Sequence, residues 1–129
     1  MKFPVNRLRR LRYNKILRNM IEDVSINSAD LICPIFIVEG QNIKEPIESM
    51  PGQFRYSIDS SIEFCNELIQ NKINSIILFG IPNKKDETGK ISCNSDSIIP
   101  KAISELKKIF KDKLYIIADV CNCEYTTHG

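Results

Sequence analysis

The eight residues LICPIFIV, 31–38, form an unbroken apolar run rich in β-branched side chains. A strand exposed on one face would alternate apolar with polar residues, so a continuous run predicts a strand buried on both faces, with parallel neighbours. Two further segments read the same way, SIILFG at 75–80 and KLYIIADV at 113–120. Between the first two, residues 59–71 put Ile62, Cys65, Leu68 and Ile69 on one helical face, and Ser60 with Glu63 has the spacing of a capping box. Between the last two, Asp96 or Ser97 can cap a helix running to about residue 110. Its inward residues are Ile99, Ala102, Ile103, Leu106, Ile109 and Phe110. Pro100 is tolerated there because it falls in the first turn, where backbone donors have no intrahelical partner. The order β-α-β-α-β predicts an α/β parallel sheet with right-handed crossovers.

The connections differ in length according to which end of a strand they leave. Helix-to-strand links near 72–74 and 111–113 are short, whereas the strand-to-helix stretches 39–58 and 81–96 are several times longer. Connections longer than about 12 residues in a compact domain usually carry function. Ligands bind at the carboxyl ends of parallel strands in both open sheets and barrels, so chemistry is expected on that side.

At 129 residues, 43% hydrophobic and 26% charged, the chain holds apolar material for one core. No run is long enough to cross a membrane, and the N-terminus lacks the apolar stretch and cleavage site of a secretory signal, so a cytoplasmic location is expected. Five cysteines (Cys33, Cys65, Cys93, Cys121, Cys123) are an odd number without scaffold spacing, which favours buried, metal-bound or reactive thiols over disulfides. The net charge of +2 conceals an asymmetry, because residues 1–18 carry seven basic side chains and no acid. That segment has only Tyr13 as an aromatic, too few for a single-strand nucleic-acid binder. A basic arm docked on an acidic body is the reading adopted. Within it Asn14 is placed to cap a short amphipathic helix over 15–23, with Ile16, Leu17, Met20, Ile21 and Val24 on one face.

The end of the third strand reads DVCNCEYTTHG, 119–129. Asp119, Cys121 and Cys123 alternate, so they share one face if the backbone stays extended. A carboxylate and two thiols there suit zinc, which takes thiolate sulfur at about 2.3 Å, although catalytic zinc normally has three protein ligands. Two buried small hydrophobes would satisfy the same spacing. His128 is open to a ligand, acid/base or plain loop role.

This tail resembles the zinc-binding stretch of the 5-aminolevulinate dehydratase (porphobilinogen synthase) family. The similarity extends through RLRRLR and LRNMIED in the arm, LICPIFIVEG, SMPGQFRYSID and LFGIPNKKDETGK, in the family's order. The resemblance implies a fold in which the chain is the N-terminal part of a (β/α)8 TIM barrel, about three βα units over 29–129, preceded by an extended arm over 1–28 that wraps a neighbouring subunit. It implies homo-oligomers of the family's octamer type, no nucleic-acid or membrane partner, and zinc as cofactor. The implied reaction condenses two 5-aminolevulinate molecules to porphobilinogen with loss of water, in tetrapyrrole and heme biosynthesis. Cys121 and Cys123 match two of three cysteine ligands, and Asp119 matches an active-site aspartate. The third cysteine is expected just past Gly129, and both Schiff-base lysines on later strands, so no lysine here is assigned to catalysis. The 129-residue chain is accordingly expected to be inactive and poorly stable alone, with a remnant that only binds metal weakly or joins intact subunits as the alternative. Leu8, Asn122 and Thr127 depart from residues common in the family.

Overall fold

The three apolar runs become neighbouring strands of one sheet, and the two helices between them cover one of its faces. The computed structural model describes residues 4–129; the first three residues of the arm, Lys2 included, lie outside the described residues. In chain order the elements are α1 (Lys15–Met20), β1 (Ile32–Val38), β2 (Lys44–Pro46), β3 (Phe54–Tyr56), α2 (Ile58–Gln70), β4 (Ser75–Ile81), α3 (Ile98–Phe110) and β5 (Tyr115–Ala118). The sheet order is β2-β3-β1-β4-β5, parallel throughout except for the β2–β3 pair.

Alternation along the strands splits their side chains into two sets. Ile35 and Ile37 of β1 and Ile76 and Leu78 of β4 pack under the helices with Cys65, Leu68, Ala102, Leu106 and Phe110, and this set is the core. The other set pairs Pro34 with Ile77, Phe36 with Phe79 and Val38 with Ile81. It is only half-buried, although the Phe36 and Phe79 rings stack at 5.4 Å. The expectation of burial on both faces is thus met on one. Among the described residues no helix lies over the second face.

Other expectations shift at the element ends. The third strand is Tyr115–Ala118, shorter than the apolar run at 113–120. The stretch after β1 is not a plain loop: β2 and β3 form an antiparallel ribbon inside it, and β3 joins the edge of β1. Ser60 and Glu63 form no capping box, because the cap position is Ser57 and Ser60 lies inside the first turn. The Ser57 hydroxyl instead accepts the Ile43 N–H at 2.9 Å, tying the ribbon to the helix start. α3 begins after Ser97, whose hydroxyl makes no capping bond. Pro100 occupies the third helical position and removes one of the N–H groups an N-cap serine would accept from. Ile109, placed inward by periodicity, is 49% exposed because α3 meets the sheet along the Ala102–Leu106–Phe110 line.

In the arm, Asn14 caps α1 as expected, its side-chain oxygen accepting the Leu17 N–H at 2.8 Å. The helix stops at Met20, short of residue 23. Ile16, Met20 and Val24 are each more than 70% exposed, so its apolar side is turned away from the body of this chain.

Cys65 shows how closed the helix-side core is. Fully buried under α2, its thiol is pushed up to about 12, chiefly by desolvation and secondarily by Cys33. Alkylation at pH 8 followed by mass spectrometry is expected to label exposed Cys93 and Cys123 first and Cys65 only on unfolding. Labelling of Cys65 at the rate of Cys123 would contradict this packing.

Candidate functional site

The carboxyl ends of β1, β4 and β5 lie on one rim of the sheet, and the long connections meet there. Asn83, just past β4, donates its side-chain amide to Glu39, just past β1, at 2.9 Å. The loop before α3 is fastened to the C-terminal tail by a parallel bridge between Asp86 and Thr126. The Asp86 N–H donates to the Tyr125 carbonyl and the Thr127 N–H to the Asp86 carbonyl, each at 3.1 Å. His128 reaches the Glu87 carbonyl at 3.2 Å, so it braces this junction and stands apart from the metal-type donor cluster.

The Asp86 side chain holds the loop's own shape. Its Oδ1 accepts the Thr88 N–H at 2.7 Å, the Thr88 hydroxyl at 2.9 Å and the Lys90 N–H at 3.3 Å. Gly89 supplies the left-handed φ of +64° that lets the chain curl round the carboxylate. The Thr88 N–H, ahead of the other donors, holds the Asp86 carboxyl below its ordinary value. A carboxyl lowered in the folded state contributes stability above its unfolded value, and that contribution is lost as pH falls through the folded value. Amide exchange at Asp86 and Thr127 is therefore expected to stay slow, relative to its intrinsic rate, at pH 5 and to lose protection below the ordinary carboxyl value of 3.8. Unchanged protection down to pH 2 would show that the carboxylate does not hold the junction.

The tail itself does not continue as a strand. Asp119 makes the last rung, its N–H donating to the Leu78 carbonyl at 3.3 Å. Asn122 then takes helical dihedrals, φ −98° and ψ −3°, and Cys123–Tyr125 forms a 3-10 turn. The extended face expected to carry Asp119, Cys121 and Cys123 together is broken at Asn122. The donors that converge are Asp119, Cys121 and Glu124, whose ligand atoms lie within 4.8 Å of one another. Cys123 is exposed at the head of the turn and stands outside that group. Glu124 was missed in the sequence because alternation counts only odd positions here; the one signal for it is its place directly after the second cysteine.

The Cys121 thiol is held above its ordinary value. The Cys123 N–H works against that direction, but the side chains of Cys123 and Glu124, with some burial and the Glu124 charge, outweigh it. Beside this cluster a cleft of about 360 Å³ opens between β5 and the start of α3, with Cys93, Ser97, Asp119, Cys121 and Tyr125 among its lining residues. Tyr125, 6% exposed, anchors the turn by lying over Gly80 of β4: a Cβ there would come within 2.6 Å of its hydroxyl.

The family model described as delta-aminolevulinic acid dehydratase matches residues 5–129. The chain belongs to the delta-aminolevulinic acid dehydratase family. Among its dehydratase relatives, the enzyme of Helicobacter pylori strain J99 is 48% identical over 124 residues, covering 95% of this chain and 38% of that protein. That of Methanothermus sociabilis is 42% identical over all 129 residues, 40% of its own length. A crystal structure of the dehydratase from Toxoplasma gondii ME49, in complex with the reaction product porphobilinogen, superposes with a TM-score of 0.87 at 30% identity, covering 95% of this chain and 35% of that one. The chain thus spans about two fifths of the curated relatives cited here. Within the dehydratase fold the two βα units and the third parallel strand, β5, are a partial TIM barrel, and the rim carrying Asp119 and Cys121 is its carboxyl-terminal mouth. No helix among the described residues is long and apolar enough to cross a membrane.

Proposed function

We propose that this chain supplies one rim of a porphobilinogen synthase active site, which joins two 5-aminolevulinate molecules with loss of water. The observation that carries the reading is the meeting of a family match over 5–129 with a carboxylate and thiol cluster at the mouth of β5. Zinc is the cofactor proposed, held through Cys121 and Cys123. The donor set suits it, because soft sulfur and carboxylate oxygen are both zinc ligands at about 2.0 to 2.3 Å. One Glu124 carboxylate oxygen is shut off from solvent without a hydrogen-bond partner, as an oxygen awaiting a cation would be.

The chemistry that zinc supplies when bound is polarisation of a substrate carbonyl or activation of a water. The chain's own residues do the rest on this side. Asp119, fixed by its backbone rung to Leu78, presents a carboxylate to hold a substrate ammonium or take a proton. Ile99, Pro100 and Val120 line the apolar part of the cleft beside it. Schiff-base formation is assigned to lysines of later strands. The arm, residues 1–28, is proposed to dock on a neighbouring subunit, which accounts for the exposed apolar side of α1, in a homo-oligomer of the family's octamer type in the cytoplasm.

The test is to supply 5-aminolevulinate and Zn²⁺ both to the product of the complete native reading frame and to the isolated 129-residue polypeptide, and to measure porphobilinogen. Product from a frame that carries the lysine-bearing strands, and none from the isolated polypeptide, is expected. Porphobilinogen made by the 129 residues alone would overturn the assignment of the nucleophiles to other strands. A complete frame that carries those strands and is still inactive would favour the remnant reading.

A further inference from the structure

We infer that the start of α3 is a binding site for a short aliphatic carboxylate, held by the backbone N–H groups of Ile98 and Ile99 and by the hydroxyl of Ser97. The inference stands apart from the dehydratase reading, because it uses no metal, no thiol and no lysine.

The donors at this helix end can be followed one by one. An α-helix leaves the N–H groups of its first turn without intrahelical acceptors, so each must find a partner elsewhere. The Ser97 N–H donates to the Asn94 carbonyl at 3.0 Å, and the Lys101 N–H makes the first helical bond, to the Ser97 carbonyl at 3.3 Å. Pro100 has no N–H to place. The N–H groups of Ile98 and Ile99 remain. Both residues are buried, and the Ser97 side chain does not cap them.

The serine is the second observation. Ser97 is 7% exposed, its hydroxyl has no hydrogen-bond partner, and it belongs to the wall of the 360 Å³ cleft between β5 and α3. A buried hydroxyl left unpaired is costly, and this one adjoins two buried amides for which no acceptor is found among the described residues. Tyr125 brings another hydroxyl to the same junction: a Cβ on Gly80 would come within 2.6 Å of it and 2.7 Å of the Ile99 side chain.

Charge decides the kind of anion. The dipole of α3 puts partial positive charge at this end, and its first turn holds no acid. Asp96, just before the cap, is exposed. Asp119 lies along the same cleft, and its charge works against a multiply charged guest. A carboxylate is singly charged and offers two oxygens to these donors, so it suits the site better than phosphate does. The apolar wall formed by Ile99, Pro100 and Val120 then receives the guest's carbon chain.

The experiment is an NMR titration of the nitrogen-labelled 129-residue chain with sodium butyrate, acetate and phosphate, at an ionic strength held constant with sodium chloride. Butyrate is expected to move the Ile98 and Ile99 amide resonances saturably, with a millimolar dissociation constant. Acetate should bind more weakly, and phosphate at least about tenfold more weakly than butyrate. Ser97→Gly, a substitution that helix starts tolerate, should weaken butyrate about three- to tenfold, the worth of one hydrogen bond. Ser97→Asp supplies the two amides with a carboxylate of its own, so it should raise the melting temperature and abolish the response to butyrate. The melting temperature of the complete-frame product, in butyrate against chloride, reads the same site by mass action and does not depend on the isolated chain holding its fold. Butyrate should raise it in the unsubstituted protein and leave the Ser97→Asp variant unmoved.

Shifts that fail to saturate or centre elsewhere would overturn the site. Phosphate binding as tight as butyrate would overturn the carboxylate assignment, and butyrate binding or stabilisation undiminished in Ser97→Asp would remove the α3 start from it.

Discussion

Under the proposed reaction, Asp119→Asn is expected to lower porphobilinogen formation by about 10²- to 10⁴-fold, the usual span for removing a positioned acid or base. Asparagine keeps the shape of the side chain and the backbone rung to Leu78, so the position of the group is retained. What it loses is the negative charge that holds an ammonium and the lone pair that takes a proton at neutral pH. Zinc content should stay near that of the unsubstituted protein, because the two cysteines proposed to hold the metal are untouched. The measurement is kcat/KM with metal content determined on the same sample. A fall of less than about fivefold would remove Asp119 from the reaction. A parallel loss of zinc would instead make it a metal ligand.

The second large effect is structural. Gly80→Val is expected to destabilise the fold by about 3 kcal/mol and to disorder the Cys123–Tyr125 turn. Even a single Cβ at this position would come to 2.6 Å from the Tyr125 hydroxyl, 2.7 Å from Ile99 and 3.1 Å from Ile98. The residues it strikes are each at most 9% exposed, so they have little room to yield. Either α3 lifts from β4 or Tyr125 leaves its seat, and Cys123 and Glu124 move with it. Gly80→Ala should show the same pattern in reduced form. Thermal unfolding and amide exchange at Tyr125, whose N–H bonds the Asn122 carbonyl, measured together check this; a valine variant with native melting and native protection would mean that the close approach at Gly80 is not tight.

The strands and long helices were legible in the sequence because each is an apolar run or a helical stripe long enough to have one reading. The β2–β3 ribbon was not. Its strands have three residues each, and Lys44, Glu45 and Pro46 are polar or non-donating, so no periodicity marks them. What holds the ribbon is tertiary: Ser57 accepts from Ile43, and Asp59 accepts the Asn42 N–H at 2.7 Å. The candidate site was half legible. Asp119 and Cys121 follow from strand alternation, which holds up to the last rung. Beyond it the backbone of Asn122 decides, and a single helical residue exchanges Cys123 for Glu124 at the centre of the cluster. Local backbone choice at an isolated asparagine is not written in hydrophobic pattern, so reading the tail as an extended strand missed the glutamate.

The half-buried second face of the sheet also bears on what the sheet is built to pack against. Pro34, Phe36, Val38, Ile77, Phe79 and Ile81 form three cross-strand rows without a single polar substitution. A surface in permanent contact with water gains nothing from such side chains and is made adhesive by them. In a TIM barrel the strand faces turned away from the helices pack against one another in layers across the centre. These three rows are therefore the part of the sheet that a closed barrel would fill with the inward side chains of its other strands.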